Sequence, residues 1–103
     1  MNPRLNITDD QLAAFYRKWK IAEIWLFGSV LRDDFTANSD VDVLVEIDSG
    51  ARFSTFDQAT ARQELAELLG RRVDLFTKRS VEASPKPALR NEILSSAQRI
   101  FAA

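Results

Sequence analysis

The chain has 103 residues with 14 Lys and Arg against 15 Asp and Glu, a net charge of −1 that argues against a surface built to displace counterions from duplex phosphates. It has no Cys and no His, which excludes disulfides, a thiol nucleophile, Cys- or His-bound zinc, a histidine base and a Ser-His-Asp triad. With 46% apolar and 28% charged residues it reads as one folded domain over residues 1–103 whose chemistry must come from carboxylates, hydroxyls, Lys or Arg, backbone amides and a hard metal ion.

The N-terminal stretch MNPRLNITDD lacks the apolar core of a signal peptide, and no apolar run approaches the roughly 20 residues that cross a bilayer, so a cytoplasmic location is expected. Thr8-Asp9-Asp10-Gln11 has the form of a capping box, and Leu12, Phe15, Tyr16 and Trp19 follow at the spacing of one apolar helix face. Glu23 to Phe27 is a short apolar run ended by Gly28, too brief for a helix and read as a strand. Val30 to Asp33 suits a short helical turn. Val41 to Ile47 alternates, with Val41, Val43, Val45 and Ile47 on one face and Asp42, Leu44 and Glu46 on the other.

Ser49-Gly50 breaks that strand, and Ser54 or Thr55 opens a helix through Leu65, Leu68 and Leu69 that Gly70 closes. Arg71 to Thr77 reads as a third strand, and Pro85 and Pro87 mark a connection. From Ala88 onward, Leu89, Ile93, Ala97, Ile100 and Phe101 keep helical spacing to the C-terminus. The order of helix, strand, short helix, strand, helix, strand, helix is α/β. Phe15, Trp19, Trp25 and Phe101 are expected in the core.

The acids come next. Asp40 and Asp42 are two residues apart at the start of a strand, so both side chains leave one face. Carboxylates that close repel one another unless a cation sits between them, and an oxygen-only donor set suits Mg²⁺. Asp74 sits among Val73, Leu75 and Phe76, on the face opposite Val73 and Leu75, and reaches the same pair if the third strand lies beside the second. Taken singly, Asp-x-Asp is also a common turn or cap, and Asp74 could instead pair with Arg71 or Lys78. Glu46 and Asp48 read as solvated charges, as do most of Arg52, Arg62, Arg71, Arg72 and Arg79.

Gly28-Ser29 follows the first strand. A helical turn starting there would aim unpaired backbone N–H groups at an anion, with the Ser29 hydroxyl as a further donor and Arg32 able to cover it. Gly28-Ser29 could equally be a strand-ending glycine with a capping serine. Neither G-x-x-x-x-G-K-[ST] nor G-x-G-x-x-G is present, so a P-loop or a dinucleotide fold is not supported.

Together the pieces form a rarer pattern. LFGSVLRDDFTANSDVDVLVEI resembles the signature of the DNA polymerase β-like nucleotidyltransferases, in particular the small MNT-type domains. RVDLFT resembles their third-carboxylate strand, and PALRNEILSSAQRIF their closing helix. Ala37-Asn38 departs from the Pro or acidic residue of many relatives.

The resemblance implies an α+β nucleotidyltransferase fold, a small mixed β-sheet with helices packed on one face. It implies that Gly28 and Ser29 hold the nucleotide's β- and γ-phosphates, with Arg32 and Ser39 as further nucleotide contacts. Asp40 and Asp42 would bridge two Mg²⁺ ions, and Asp74 would hold the metal under the attacking hydroxyl. The implied reaction moves AMP from ATP to a hydroxyl with pyrophosphate leaving. The implied partner is a HEPN-domain ribonuclease toxin, modified on a tyrosine by this chain acting as a type VII-like antitoxin. Two other functions fit the same fold: a binding module that neutralises its partner by masking, and a transferase acting on a small molecule.

Overall fold

The computed structural model describes residues 7–28 and 40–102. Helix α1 (Asp9–Trp19) begins with the expected box: the Thr8 hydroxyl accepts the Gln11 N–H at 3.1 Å while the Gln11 side chain accepts the Thr8 N–H at 3.0 Å. Two N–H groups that no helical carbonyl could reach are thereby satisfied. Lys20, in the left-handed region at φ 56°, turns the chain into β1 (Ile21–Phe27), which starts two residues earlier than the apolar run indicates.

Strand β2 (Val41–Ile47) pairs antiparallel with β1, and α2 (Thr55–Leu69) carries the chain over to β3 (Val73–Thr77), which pairs parallel with β2. A crossover helix is what a parallel neighbour requires. Helix α2 opens on a second capping box, Ser54 with Asp57, and closes on Gly70 at φ 65°. The third strand is shorter than expected at its start, since Arg71 and Arg72 precede it.

Three elements after β3 differ from the sequence expectation. Helix α3 (Lys78–Glu82) is a single turn capped by the Thr77 hydroxyl, which accepts the Ser80 N–H at 3.2 Å. Helix α4 (Pro87–Ser96) starts on proline, whose missing N–H costs nothing at a first position, but it does not run to the C-terminus. Ala97 is extended, at φ −66° and ψ 134°, and Gln98–Ala102 form β4, antiparallel to β1. Without β4, β1 would present a row of unpaired backbone groups at the sheet edge, and the ladder outweighs continued helical spacing. Ile100 then packs on the main core as a strand residue.

The four strands lie in the order β3-β2-β1-β4, a mixed sheet. On one face Val41, Val43, Val45, Ile24, Leu26, Val73 and Leu75 meet Leu12 and Phe15 of α1 and Ala61, Leu65 and Leu69 of α2. The expectation of helices on one face holds for α1 and α2 only. On the opposite face Phe27 and Leu44 pack with Val81 of α3 and Ile93 of α4, because Leu44 points away from Val43 and Val45 and needs its own cover. Phe15 is buried as expected, whereas Trp19 and Trp25 are half-buried at the margins of the two clusters. The Phe101 side chain lies outside the described set. Among the described residues no helix is long and apolar enough to cross a membrane.

Candidate active site

Parallel pairing of β2 with β3 sets Asp42 directly across from Asp74. Neighbouring strands are about 4.8 Å apart, and residues in register project to the same side, so both carboxylates stand on one face within reach of one ion. Gly28 ends β1 beside them, since Phe27 is the register partner of Asp42. It has φ 75°, a conformation that side-chain-bearing residues rarely adopt. A Cβ placed on Gly28 would overlap the Asp42 carboxylate, so the bare α-carbon is what lets that acid occupy its position.

Asp40 lies outside the paired strands, and its Oδ1 is 2.9 Å from Arg72 Nε, an ion pair without hydrogen-bond geometry. The contact follows from register: Val41 is paired with Val73, and the residues preceding each meet just beyond the strands. Arg72 is expected to be a solvated charge, and its side chain is 81% exposed, yet it pairs with this acid. The pairings of Asp74 with Arg71 or Lys78 do not form. Lys78 is 4.0 Å from Glu46 and 5.2 Å from the Trp25 ring centre, and Asp74 makes no ion pair among the described residues. Ser29, Arg32, Ser39 and the expected turn at Val30–Asp33 fall outside the described residues.

Among the described residues no three acids converge as a ready-made metal cage. The expected triad is thus present as a facing pair, Asp42 and Asp74, with Asp40 engaged by Arg72. That arrangement still suits Mg²⁺, which is commonly held by one or two carboxylates with substrate phosphates and water completing its octahedron. The donor set is hard oxygen throughout, and the missing side chain of Gly28 is what gives the Asp42 carboxylate its place in it.

A cleft of about 750 Å³ lies elsewhere, at the opposite ends of β2 and β3, lined in part by Glu46, Asp48, Phe53, Gln58, Lys78 and Arg79. The facing acids are near the strands' amino ends, so this volume is separate from the carboxylate site. Asp42, Asp74 and Gly28 meet at the amino ends of β2 and β3, outside that cleft.

The strand alternation could have revealed one further residue. Phe76 shares the face of Asp74 two positions along β3, and its ring centre is 5.6 Å from that of Phe27.

A family model described as a nucleotidyltransferase domain matches residues 9–100. A proposed protein adenylyltransferase of Methanocaldococcus jannaschii is 39% identical over 64 residues, and the match spans 62% of this chain and 64% of that relative's length. The protein adenylyltransferase MntA of Thermococcus cleftensis is 31% identical over 77 residues, 75% of this chain and 76% of that protein. Among solved structures, a complex of a tri-AMPylated Shewanella oneidensis HEPN toxin with an MNT antitoxin matches with a TM-score of 0.63 at 22% identity, over 91% of this chain and 69% of the matched one. At that identity the likeness speaks for the fold. The chain belongs to the nucleotidyltransferase domain family, in its minimal MNT form.

Proposed function

We propose that this chain is a Mg²⁺-dependent protein adenylyltransferase that moves AMP from ATP to a tyrosine hydroxyl of a HEPN-domain toxin, and so acts as a cytoplasmic antitoxin. The observation that carries the reading is the in-register pair Asp42 and Asp74, set beside a glycine that leaves the Asp42 carboxylate room. The adenylyltransferase names of the relatives and the AMPylated toxin bound to an MNT antitoxin support the choice of donor and partner.

In this reading Gly28 and the adjoining Ser29, with Arg32 and Ser39, hold the triphosphate, and Asp40, Asp42 and Asp74 supply the oxygens for Mg²⁺. Bound there, the metal ions would neutralise phosphate charge and stabilise the attacking and leaving oxygens. The tyrosine oxygen forms a bond to the α-phosphorus, the bond from that phosphorus to the bridging oxygen breaks, and pyrophosphate leaves with the electron pair. The hydroxyl proton passes to Asp74, on the strand where the acceptor enters, and from there to water. No histidine is needed.

The test is to incubate the chain and a cognate HEPN toxin with Mg-ATP and weigh the toxin by mass spectrometry. One or more added AMP groups are expected. An unmodified toxin, in a complex that still forms, would defeat the reading. If the Asp42→Asn protein neutralised the toxin as well as wild type at equal expression, masking rather than transfer would be the operative mechanism.

A further inference from the structure

Phe76 is 37% exposed, although its register partner Leu44 is fully buried. It lies on the edge strand β3, on the same face as Asp74, about 6.6 Å further along at the rise of a strand. One side of its ring is held by Phe27, with centroids 5.6 Å apart and planes at 54°. The rest of the ring is exposed. It is an aromatic surface, fixed in place, at the margin of the site.

We propose that Phe76 receives the aromatic ring of the acceptor, so that the site favours a phenolic hydroxyl over an aliphatic one. The inference rests on the transferase reading above and adds to it a residue that selects the acceptor. Strand order gives the direction. Gly28 follows β1, two strand spacings or about 10 Å from β3, so a triphosphate held at Gly28 leaves the β3 side for the incoming hydroxyl. A tyrosine whose oxygen stands at Asp74 carries its ring only a bond away, and aromatic pairs settle with centroids about 4.5–7 Å apart. Phe76, two residues along the same face of β3 from Asp74, is the aromatic residue of that strand placed to meet such a ring. A serine or threonine acceptor would bring no ring to meet it.

The experiment compares wild type, Phe76→Ala, Phe76→Leu and Phe76→Tyr, reading KM for a cognate HEPN toxin by AMP incorporation and ATP affinity by calorimetry. Phe76→Ala should raise the acceptor KM about two- to ten-fold, the range an aromatic pair supplies, with ATP affinity unchanged. Phe76→Tyr should restore the wild-type KM. Phe76→Leu, which keeps apolar cover over Phe27, should resemble Phe76→Ala and so separate the loss of a ring from a loss of folding. An acceptor KM that does not move in Phe76→Ala or Phe76→Leu overturns the proposal. Weakened ATP binding with an unmoved acceptor KM also overturns it, by assigning the ring to the nucleobase. Wild-type protein that transfers nothing brings down the transferase reading and this one with it, whereas normal transfer by Phe76→Ala brings down this one alone.

Discussion

The α-carbon of Gly28 rests against the carboxylate of Asp42, with no room for a methyl group between them. The two residues are 14 apart in the chain, Gly28 directly after β1 and Asp42 on its antiparallel neighbour β2. Gly28 therefore has two duties: it adopts φ 75°, and it leaves the volume that Asp42 fills. A glycine at the end of a strand is usually explained by the first alone.

Gly28→Ala should accordingly do more damage than left-handed strain predicts. The backbone conformation costs an L-residue about 1–2 kcal/mol. Displacement of Asp42 should lower AMP transfer by roughly 100-fold or more, a loss on the order of 2.7 kcal/mol in the barrier. Urea unfolding and single-turnover transfer separate the two effects. Transfer that falls no further than stability does would show that Asp42 is not positioned by the missing side chain.

Asp42 and Asp74 stand directly opposite each other in register, and like charges so placed destabilise a strand pair. Mg²⁺ should raise the thermal midpoint of wild type, because a ligand that binds only the folded state stabilises it. Asp42→Asn and Asp74→Asn should each unfold no earlier than wild type without metal, fail to gain from Mg²⁺, and lose transfer. Differential scanning fluorimetry with and without Mg²⁺ reads all but the last. A wild-type midpoint indifferent to Mg²⁺ at millimolar concentration would contradict the site.

Arg72 and Asp40 form an ion pair with the Arg72 side chain 81% exposed and Asp40 43% exposed. Such pairs contribute about 0–1 kcal/mol, so Arg72→Ala should change stability by no more than that. The same substitution removes one competing cation from Asp40 and should tighten Mn²⁺ binding about two- to five-fold by calorimetry. Weaker Mn²⁺ binding would mean that Arg72 orients Asp40 for the metal rather than competing with it.

How much of this was legible beforehand depends on the range of the interaction. The capping box at Thr8, the helix opening at Ser54 or Thr55, and alternation through Val41–Ile47 are local and appear in the structure as the sequence indicates. The facing of Asp42 and Asp74 requires β3 to lie parallel to β2 in one register, which the sequence allows without specifying. The Arg72–Asp40 contact depends on that register too, and nothing near Arg72 in the chain announces it. The C-terminus was misread for a different reason. Leu89, Ile93 and Ala97 are genuinely four apart, but Ile100 and Phe101 fit a strand as well as a helix, and a short apolar stretch cannot decide between the two periods. The open edge of β1, formed far away in sequence, decides it.

That edge supplies the last prediction. Residues Gln98–Ala102 cover β1, with Leu26 paired to Gln98, Ile24 to Phe101 and Glu23 to Ala102, and Arg99 reaching Glu23 at 3.7 Å. Removing residues 98–103 would take away Ile100 from the core margin and leave β1 as an unprotected edge lined by Ile24 and Leu26. The truncated chain should unfold at lower urea and self-associate at micromolar concentration, and amide exchange along β1 should quicken. A truncated protein that stays monomeric on size-exclusion chromatography with β1 amides still protected would mean that the sheet ends at β1. The point substitution Phe101→Pro tests the same pairing more gently, since Phe101 is the register partner of Ile24 and a proline there offers no N–H while the chain length is kept. It should loosen β1 while leaving Asp42 and Asp74, on the other side of the sheet order, in register.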